Sequence, residues 1–257
     1  MGDHPAAAPL ALVTGGAGYV GSALLPRLLE SGWRVRVLDC LLWGREPIAR
    51  WLSDPRVELV EGDFRDEATV VRCLRGADAV VHLGGVVGDP ACDLDERRTL
   101  EINVTATRLL AEAARRTGVS RFVFASTGAV YGACDRRMDE DAPLNPVSLY
   151  ARSKIAGERI LLEIAGEDFS PTILRFGTIF GLSGRARFDL VVNLLTAKAL
   201  VDGRITVYGG NQWRSFVHVD DAARLYRLDG PTGVQLKLAD LHQARAVGQQ
   251  LVDTLQP

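Results

Sequence analysis

Up to about residue 176, short apolar runs that end in glycine or aspartate alternate with amphipathic segments. The runs predict buried strands near residues 11–13, 34–38, 57–60, 79–83, 121–125 and 172–175. The segments between them predict helices over 19–31, 66–75, 95–117 and 148–166. Because strands that alternate with helices form parallel sheets, the pattern predicts an α/β fold with a Rossmann-like, doubly wound parallel sheet.

The pattern changes after residue 176, where it predicts a helix over 185–203, strands over 205–208 and 216–219, and a helix N-terminus at 220–223. The remaining residues indicate at most a short strand and an amphipathic helix. We therefore predict three parts: a disordered lead-in, a Rossmann domain and a small, shortened C-terminal lobe. The lead-in covers residues 1–9. The Rossmann domain covers residues 10–176, and residues 213–227 return to it. The C-terminal lobe covers residues 177–212 and 228–257.

Composition limits the classes of function. The chain has 257 residues, 47% of them hydrophobic, and a net charge of -2, which suits one large domain and gives no basic excess for nucleic acid. It has no apolar stretch that could span a membrane and no signal-peptide pattern at its start, so we expect no membrane partner. The four cysteines are scattered, which favours a reduced cytoplasmic protein without a metal site.

A glycine-rich turn follows the first predicted strand and opens the first helix. Gly15, Gly18 and Gly21 have the spacing of a dinucleotide-binding fingerprint, and this strand-to-helix context gives the spacing its meaning. Glycine lets the backbone approach a pyrophosphate, whose charge the helix N-terminus favours. The alternative is a turn that merely needs glycine.

Two acidic residues follow the next strands. Asp39 ends the second strand, where a carboxylate accepts hydrogen bonds from the adenosine ribose and repels a 2′-phosphate, so NAD is favoured over NADP. Arg45 lies close enough in sequence to soften that preference. Asp63 and Phe64, after the third strand, are candidates to hold adenine and pack against it, although Gly-Asp is also ordinary turn chemistry.

Candidate catalytic residues occur further along the chain. Tyr150 and Lys154 share one helix face, and Ser126 and Thr127 end the fifth strand, at the same sheet edge as the fingerprint. Tyr150 would carry a proton, Lys154 would lower the Tyr150 pKa and bind the nicotinamide ribose, and Thr127 with Ser126 would hold the substrate oxygen. The spacing alone occurs by chance on helix surfaces, but the fingerprint favours a catalytic role.

Together these motifs resemble the extended short-chain dehydrogenase/reductases of the NAD-dependent epimerase/dehydratase family, typified by sugar-nucleotide epimerases. The resemblance covers residues 10 to about 226 and includes the segments 14–21, 62–63, 126–132, 174–181 and 213–221. It implies NAD in the first domain and a nucleoside-diphosphate sugar under the C-terminal lobe, which would bind the substrate. Tyr150 would act as acid and base while hydride moves to or from a sugar carbon, usually C4.

The resemblance also implies site residues and a partner. The implied cofactor contacts are Gly15, Gly18, Tyr19, Val20, Asp39, Asp63, Phe64, Leu83, Gly84, Gly85, Asn103, Ala125, Tyr150 and Lys154. The implied substrate contacts are Ser126, Thr127, Thr178, Arg187, Asn193 and Arg214, with Arg214 on the pyrophosphate and Arg185 as a helper. A homodimer through helices 95–117 and 148–166 is expected; Leu109, Leu110, Ile155 and Ile160 fit that surface and fit packing on the sheet equally well.

Three departures from the family pattern refine the expected activity. Gly128 and Ala129 follow Thr127, where related dehydratases carry Asp-Glu, so elimination lacks its acid and base. Gly177-Thr178 replaces an aromatic residue and an asparagine, and since threonine mimics an amide poorly, we expect weaker substrate contacts there. The C-terminal lobe is shorter than in relatives, so we expect a more open substrate pocket. The leading hypothesis is a sugar-nucleotide epimerase. The alternatives are an NAD(P)-dependent ketoreductase or dehydrogenase, and a non-catalytic dinucleotide-binding protein.

Overall fold

The computed structural model describes residues 8–133, 136–208, 214–226 and 235–238. Seven parallel strands form one sheet in the order β3-β2-β1-β4-β5-β6-β9. These strands are β1 Leu10–Thr14, β2 Arg34–Asp39, β3 Val57–Glu61, β4 Ala79–His82, β5 Arg121–Thr127, β6 Ser170–Phe176 and β9 Gln235–Leu238. The predicted doubly wound sheet is confirmed, and a separate pair of parallel strands, β7 Thr178–Phe180 and β8 Phe216–His218, lies beyond it.

Eight α-helices connect or flank these strands within the described residues. They are α1 Tyr19–Glu30, α2 Glu67–Leu74, α3 Asp89–Asp93, α4 Glu96–Leu100, α5 Ala106–Arg116, α6 Leu149–Ile164, α7 Val191–Asp202 and α8 Val219–Leu225. Short 3₁₀ helices cover Glu46–Trp51 and Gly128–Tyr131. None of the described helices is long and apolar enough to cross a bilayer.

Apolar side chains cover both faces of the sheet, which is why the central strands β1 and β4 are almost continuously hydrophobic. On one face, α1 and α8 pack against Val13, Val37 and Leu174. On the other, α2, α5 and α6 pack against Leu12 and Phe122. Because parallel strands all end at one edge, this double covering leaves the carboxyl edge as the crevice where ligands bind.

The register brings the ends of the central strands together. Thr14 of β1 pairs with Leu38 of β2 and His82 of β4, and Thr127 of β5 pairs with Phe176 of β6. The fingerprint turn after Thr14 and the candidate catalytic residue Thr127 therefore occupy the same edge.

Several predicted elements differ from the structure. The helix predicted over 95–117 is interrupted by a π-helical turn at Glu101–Thr105, which divides it into α4 and α5. The helix predicted over 185–203 begins only at Val191. The strand predicted over 205–208 is wrong: these residues are irregular and exposed, with no neighbouring strand within the described residues to pair with them.

The C-terminal lobe also needs a correction. Residues 235–238, which the sequence assigned to that lobe, pair with β6 and extend the main sheet. The short strand predicted in this part of the chain is therefore found, but in the Rossmann sheet. The predicted C-terminal helix and residues 1–7 of the predicted lead-in lie outside the described residues. The remaining domain bounds stay a prediction.

Candidate active site

The turn after β1 is built for close backbone contact. Gly15 has a φ of +70°, and its amide donates to the carbonyl of Leu38 at 2.9 Å. A Cβ on Gly15 would lie 2.8 Å from the amide nitrogen of Gly84 in the loop after β4. The turn therefore requires glycine both for its dihedral angle and for its contact with the second loop.

The N-terminus of α1 opens onto this turn. The N-cap residue Gly18 provides no side-chain cap, and the first turn of the helix contains no acidic residue. The first-turn amides and the positive end of the helix dipole are thus available to an anion. This arrangement, a glycine-lined backbone cradle at a helix N-terminus, fits the pyrophosphate of NAD.

Asp39 fixes the turn from the neighbouring strand. Its carboxylate accepts from the amide of Ala17 at 3.0 Å and from the amide of Leu41 at 2.9 Å. A carboxylate has about four lone-pair sites, so these two bonds leave acceptors for the ribose hydroxyls. The predicted role in cofactor binding fits this position, and Asp39 also holds the shape of the fingerprint.

Gly15→Ala is expected to weaken NAD binding by at least tenfold in isothermal titration calorimetry, because the new Cβ must push the Leu83–Gly84 backbone away. Gly32→Ala is the matched control. Gly32 also has a positive φ, +82°, but open space around its Cβ position. Both variants bear the roughly 1 kcal/mol cost of a left-handed alanine, so equal NAD affinity in the two variants would contradict the cradle.

Asp63 and Phe64 have different surroundings from those expected of adenine contacts. Both oxygens of Asp63 accept from Arg65, including an Nη2–Oδ2 distance of 2.6 Å, and these bonds lower the Asp63 pKa. The Asp63 side chain is thus engaged within the protein. The Phe64 ring lies beneath Gly84, where an added Cβ would be 2.7 Å from the ring, so Phe64 supports the cofactor loop.

Asn103 also supports that loop. Its amide oxygen accepts from the amide of Val86 at 2.8 Å, and its amide nitrogen donates to the carbonyl of Val86 and to Ser153 Oγ. The residue is buried within the π-helical turn, which aims this side chain at the loop that contains Gly84 and Gly85. The direct cofactor contact proposed for Asn103 remains a prediction; the structure shows a side chain that ties the loop to α6.

His82, which the sequence reasoning did not single out, connects these parts. Its Nδ1 lies 2.7 Å from Thr14 Oγ1 and its Nε2 lies 3.0 Å from Thr107 Oγ1, joining β1 to α5 through the end of β4. Complete burial lowers the pKa of His82 to about 3, so the ring is neutral at physiological pH. The sequence did contain a signal for this role, because His82 is a polar residue at the end of a predicted buried strand.

Helix α6 carries Lys154, the predicted catalytic lysine. Ser148 caps the helix by accepting from the amide of Ala151 at 3.2 Å. One turn later, the buried Lys154 donates from Nζ to the carbonyl of Ala125 at 2.9 Å and lies over the ring of Phe124. Burial lowers the pKa of Lys154 to about 8. The carbonyl of Ala125 thus anchors the ammonium at the carboxyl end of β5.

Tyr150 and Thr127 face each other at this position. Burial raises the pKa of Tyr150 to about 12, while the Thr127 hydroxyl and the Arg187 guanidinium act in the opposite direction. The direction is opposite to the lowering expected from the sequence, because desolvation of the phenolate is the largest effect. Tyr150 therefore holds its proton at neutral pH in the unliganded protein.

The buried ammonium has a measurable signature in stability. The pKa of Lys154 is about 8 in the folded protein, against 10.5 for an unperturbed lysine. Between these pH values the unfolded chain binds more protons than the folded protein, so the free energy of unfolding rises with pH. We expect Lys154→Met to be more stable than the wild type at pH 7, by a margin that shrinks from pH 8 to pH 10. Urea unfolding across this range measures the margin; a pH-independent difference would contradict a buried ammonium.

Ser126 does not face the crevice. It is 4% exposed, and its hydroxyl donates to Glu158 of α6. Glu158 also binds the Arg175 guanidinium, whose Nη2 lies 2.6 Å from Oε2. The predicted substrate contact of Ser126 is therefore wrong, because its side chain points into the buried network beneath Thr127.

The predicted substrate residues beyond β6 form a second group. Asn193 Oδ1 accepts from the amide of Gly181 at 2.9 Å, and the hydroxyl of Tyr19 donates to the carbonyl of Gly181 at 2.7 Å. Tyr19 and Asn193 thus join the fingerprint helix to the segment after β7. Because these side chains are occupied with each other, their ligand contacts remain predictions.

Arginines line this side of the crevice. Arg187 pairs with Asp189 and lies close enough to Tyr150 to lower its pKa. Arg185 stacks on the exposed ring of Trp43, with Cζ 3.9 Å from the centroid, above the loop that follows Asp39. Arg214 is exposed and immediately precedes Ser215, which contacts the Gly177–Thr178 turn. The structure therefore places Arg187 near Tyr150 and Arg185 near the loop that follows Asp39.

The model of the NAD dependent epimerase/dehydratase family matches residues 11–228. This chain belongs to that family. The UDP-glucose 4-epimerase of Azospirillum brasilense is 31% identical over 98% of this chain and 74% of its own length. A double mutant of the dTDP-glucose 4,6-dehydratase of Streptomyces venezuelae, solved with NAD, superimposes with a TM-score of 0.82 at 31% identity, over 95% of this chain and 80% of its own.

A third relative is the UDP-glucuronic acid 4-epimerase of Bacillus cereus, solved with UDP-glucuronic acid and NAD. It superimposes with a TM-score of 0.79 at 26% identity, over 90% of this chain and 77% of its own. The predicted family, enzyme class and NAD cofactor are thus confirmed. Since relatives include both epimerases and dehydratases, the residues of this chain must discriminate between the two reactions.

Proposed function

We propose that this protein is an NAD-dependent sugar-nucleotide epimerase that inverts a sugar carbon, C4, with Tyr150 as its acid and base. The observation that carries the proposal is the grouping of Thr127, Tyr150 and Lys154 at the same sheet edge as the glycine cradle, next to a 3₁₀ turn without a carboxylate. NAD, when bound, supplies a hydride acceptor that returns the hydride to the other face of the sugar.

Each residue of the chain has a distinct task in this reaction. Thr127, at the end of β5, holds the substrate hydroxyl beside Tyr150. Tyr150 takes the proton from that hydroxyl and returns it, which requires its pKa to fall from the unliganded value of about 12. Thr127 and Arg187 already act in that direction, and Lys154, one turn along α6, provides a nearby ammonium.

The 3₁₀ turn after β5 argues against elimination of water. Gly128 and Ala129 form its first residues, and the Ala129 amide donates to Thr127 Oγ1 at 3.1 Å, which fixes the threonine. A dehydratase needs a second acid and base to remove a proton and expel water. These two positions provide neither, which supports epimerisation, where hydride and one proton are the transferred species.

A nucleoside-diphosphate sugar suits the charges on the open side of the crevice. Arg187, which pairs with Asp189, and Arg214 carry guanidinium groups, a side-chain group suited to phosphate oxygens. The relatives named for UDP-glucose and UDP-glucuronic acid make a UDP-sugar the first substrate to test. We propose that Arg214 contacts the pyrophosphate and that Thr178 lines the sugar pocket.

Epimerisation has a clear experimental signature. Purified protein is incubated with UDP-glucose and, in parallel, with GDP-, CDP- and TDP-glucose, and each product is identified by proton NMR at the inverted carbon. We expect the 4-epimer to form without net change in absorbance at 340 nm. Stoichiometric NADH production or consumption would indicate the ketoreductase or dehydrogenase alternative, and NAD binding without any sugar turnover would indicate a non-catalytic protein.

We also propose a homodimer through α5 and α6. An open groove of about 610 Å³ runs along these helices, with Ile155 and Ile160 at its apolar floor and Arg108, Arg159 and Glu163 at its charged rim. Leu110 packs on the sheet and is completely buried, so it contributes to the core. Light scattering after size exclusion tests the dimer, and a monomer at micromolar concentration would reject it. A cytoplasmic location also stays a prediction.

A further inference from the structure

Arg185 is a half-buried cation that lies beside the loop after β2. The face of its guanidinium stacks on the ring of Trp43, with Cζ 3.9 Å from the ring centroid. Within the part of the chain that the structure describes, its side-chain N–H groups donate no hydrogen bond and form no ion pair. A guanidinium that stacks by its face keeps its donors at the edge of the plane, where they are available to an anion.

The loop that carries Trp43 is held in one shape. Leu41 has a φ of +52°, a left-handed conformation that is uncommon for a residue with a large side chain. The Asp39 carboxylate accepts from the Leu41 amide at 2.9 Å, and the Gly44 amide donates to the Leu41 carbonyl at 2.8 Å. These bonds stabilise a tight turn directly after Asp39, and the turn places Trp43 and the stacked guanidinium close to that carboxylate.

The segment that carries Arg185 is also fixed. The hydroxyl of Ser183 donates to the carbonyl of Arg185 at 2.9 Å. Gly184 lies against the 3₁₀ helix that follows the Trp43 loop, where an added Cβ would collide with the carbonyl of Pro47 and lie 3.0 Å from the Cβ of Ser22. The backbone around Arg185 is therefore packed against the cofactor domain, so the position of the cation does not depend on the stack alone.

The charge of Arg185 acts on the end of β2. Partial burial lowers the pKa of Arg185, whereas the Asp39 carboxylate acts in the opposite direction, so the two charges are close enough to interact. The guanidinium stays charged, since arginine is not deprotonated in proteins. A carboxylate at the position of Asp39 repels a 2′-phosphate on the adenosine ribose. A fixed cation beside it weakens that repulsion.

The other two arginines of this region are less suited to the task. Arg45 is the cation that the sequence places near Asp39, but its side chain is exposed and has no stacking or ion-pair partner among the described residues. Solvent and salt screen such a charge. Arg187 pairs with Asp189 and lies near Tyr150. Arg185 is therefore the arginine whose position suits the adenosine ribose.

We propose that Arg185, positioned by Trp43, is a second determinant of cofactor selectivity: it binds an anionic group at the 2′ position of the adenosine ribose and so admits NADP to the NAD site. Asp39 still favours NAD, so NADP is the weaker ligand. The inference rests on the NAD-binding part of the proposed function and is independent of which sugar is turned over.

Arg185→Ala tests this role because it removes the cation and leaves Asp39 in place. In calorimetry, the dissociation constant for NADP should rise roughly tenfold or more, the scale of one charge-assisted hydrogen bond. The dissociation constant for NAD should change far less, because its ribose carries a neutral hydroxyl at that position. Arg185→Gln, which is also neutral but keeps a polar side chain, should show the same selective loss. Trp43→Leu should show a smaller loss in the same direction.

Arg45→Ala is the matched control, since it removes the same charge from an exposed position next to the Trp43 loop. It should keep the wild-type ratio of the NADP and NAD dissociation constants. An unchanged ratio in both Arg185 variants, an equal loss of both cofactors, or a shift confined to Arg45→Ala would each overturn the proposal. Wild-type protein that binds NAD but no NADP would also overturn it. Weaker binding of UDP by Arg185→Ala with an unchanged cofactor ratio would assign the arginine to the substrate instead.

These binding measurements separate the inference from the epimerase proposal. A wild type that binds both cofactors but turns over no sugar nucleotide would refute the epimerase, and the two dissociation constants would still decide the role of Arg185. A cofactor ratio that is insensitive to Arg185 would refute the selectivity role, while formation of the 4-epimer would still support epimerisation.

Discussion

Tyr150→Phe is expected to lower kcat by roughly 10²- to 10⁴-fold, the range attributed to a positioned acid or base. The substitution removes the phenolic oxygen that Thr127 faces and leaves the ring that packs in the crevice. Because Lys154 is anchored by the carbonyl of Ala125, it should keep its position. NAD affinity should therefore change by less than threefold, so the loss appears in the chemical step.

The matched control is Tyr208→Phe. Tyr208 is 86% exposed, so removing its hydroxyl should leave kcat within error of the wild type. Initial rates of sugar-nucleotide epimerisation, followed by NMR, give both values. If Tyr150→Phe retained more than a tenth of the wild-type kcat, another group would have to carry the proton, and Tyr150 would be reduced to a substrate contact.

The pH dependence adds a second test of the same residue. In the unliganded protein burial holds the Tyr150 pKa at about 12, so the phenol is protonated at every physiological pH. A wild-type kcat/KM that rises with pH through a group well above neutrality would agree with this value, since kcat/KM reports the free enzyme. The high-pH group should disappear from the profile of the residual activity in Tyr150→Phe.

Hydrophobic patterning was sufficient to predict six strands of the central sheet because each contains a short apolar or alternating run that ends near turn residues. The glycine fingerprint, Tyr150 and Lys154 were predictable for a related reason: each depends on local spacing within one turn or one helix. Their meeting at one sheet edge follows from parallel topology alone. The sequence thus predicts the location of this chemistry before any contact is known.

The remaining features depend on contacts between distant segments. Ser126 looks like a cleft residue because it precedes Thr127, but strand alternation turns it inward to Glu158. Asp63 is occupied by Arg65, and Asn103 holds the backbone of Val86. Tertiary packing decides whether a polar side chain at the sheet edge contacts a ligand or another side chain. Residue spacing within one element carries no information about that packing.

Glu158 illustrates a signal that was present in the sequence. It follows Lys154 by four residues, so Tyr150, Lys154 and Glu158 share one face of α6. The first two point to the crevice, and Glu158 lies deeper, where Arg175 of β6 and Ser126 of β5 bind its carboxylate. The face of α6 that bears Tyr150 and Lys154 is thus joined to β5 and β6 by one buried carboxylate.

Glu158→Gln is expected to lower the free energy of unfolding by about 3–5 kcal/mol, the usual cost of breaking a buried ion pair by removing one partner. Both side chains are nearly inaccessible, at 3% for Glu158 and 5% for Arg175, so the guanidinium would keep its charge without a counter-ion. Urea unfolding monitored by circular dichroism measures the loss, which is a large part of the 5–15 kcal/mol that stabilises a typical domain.

Glu30→Gln provides the same chemical change on an exposed ion pair of α1, away from the proposed dimer groove. Glu30 pairs with Arg27 at 3.1 Å but is 63% exposed, so its loss should be far smaller than that of Glu158→Gln. Equal effects of the two substitutions would show that the Glu158 network is hydrated and structurally dispensable. A large loss confined to Glu158→Gln would instead establish that the face of α6 bearing Tyr150 and Lys154 is held against β5 and β6 by this buried pair, because the two variants differ chiefly in burial.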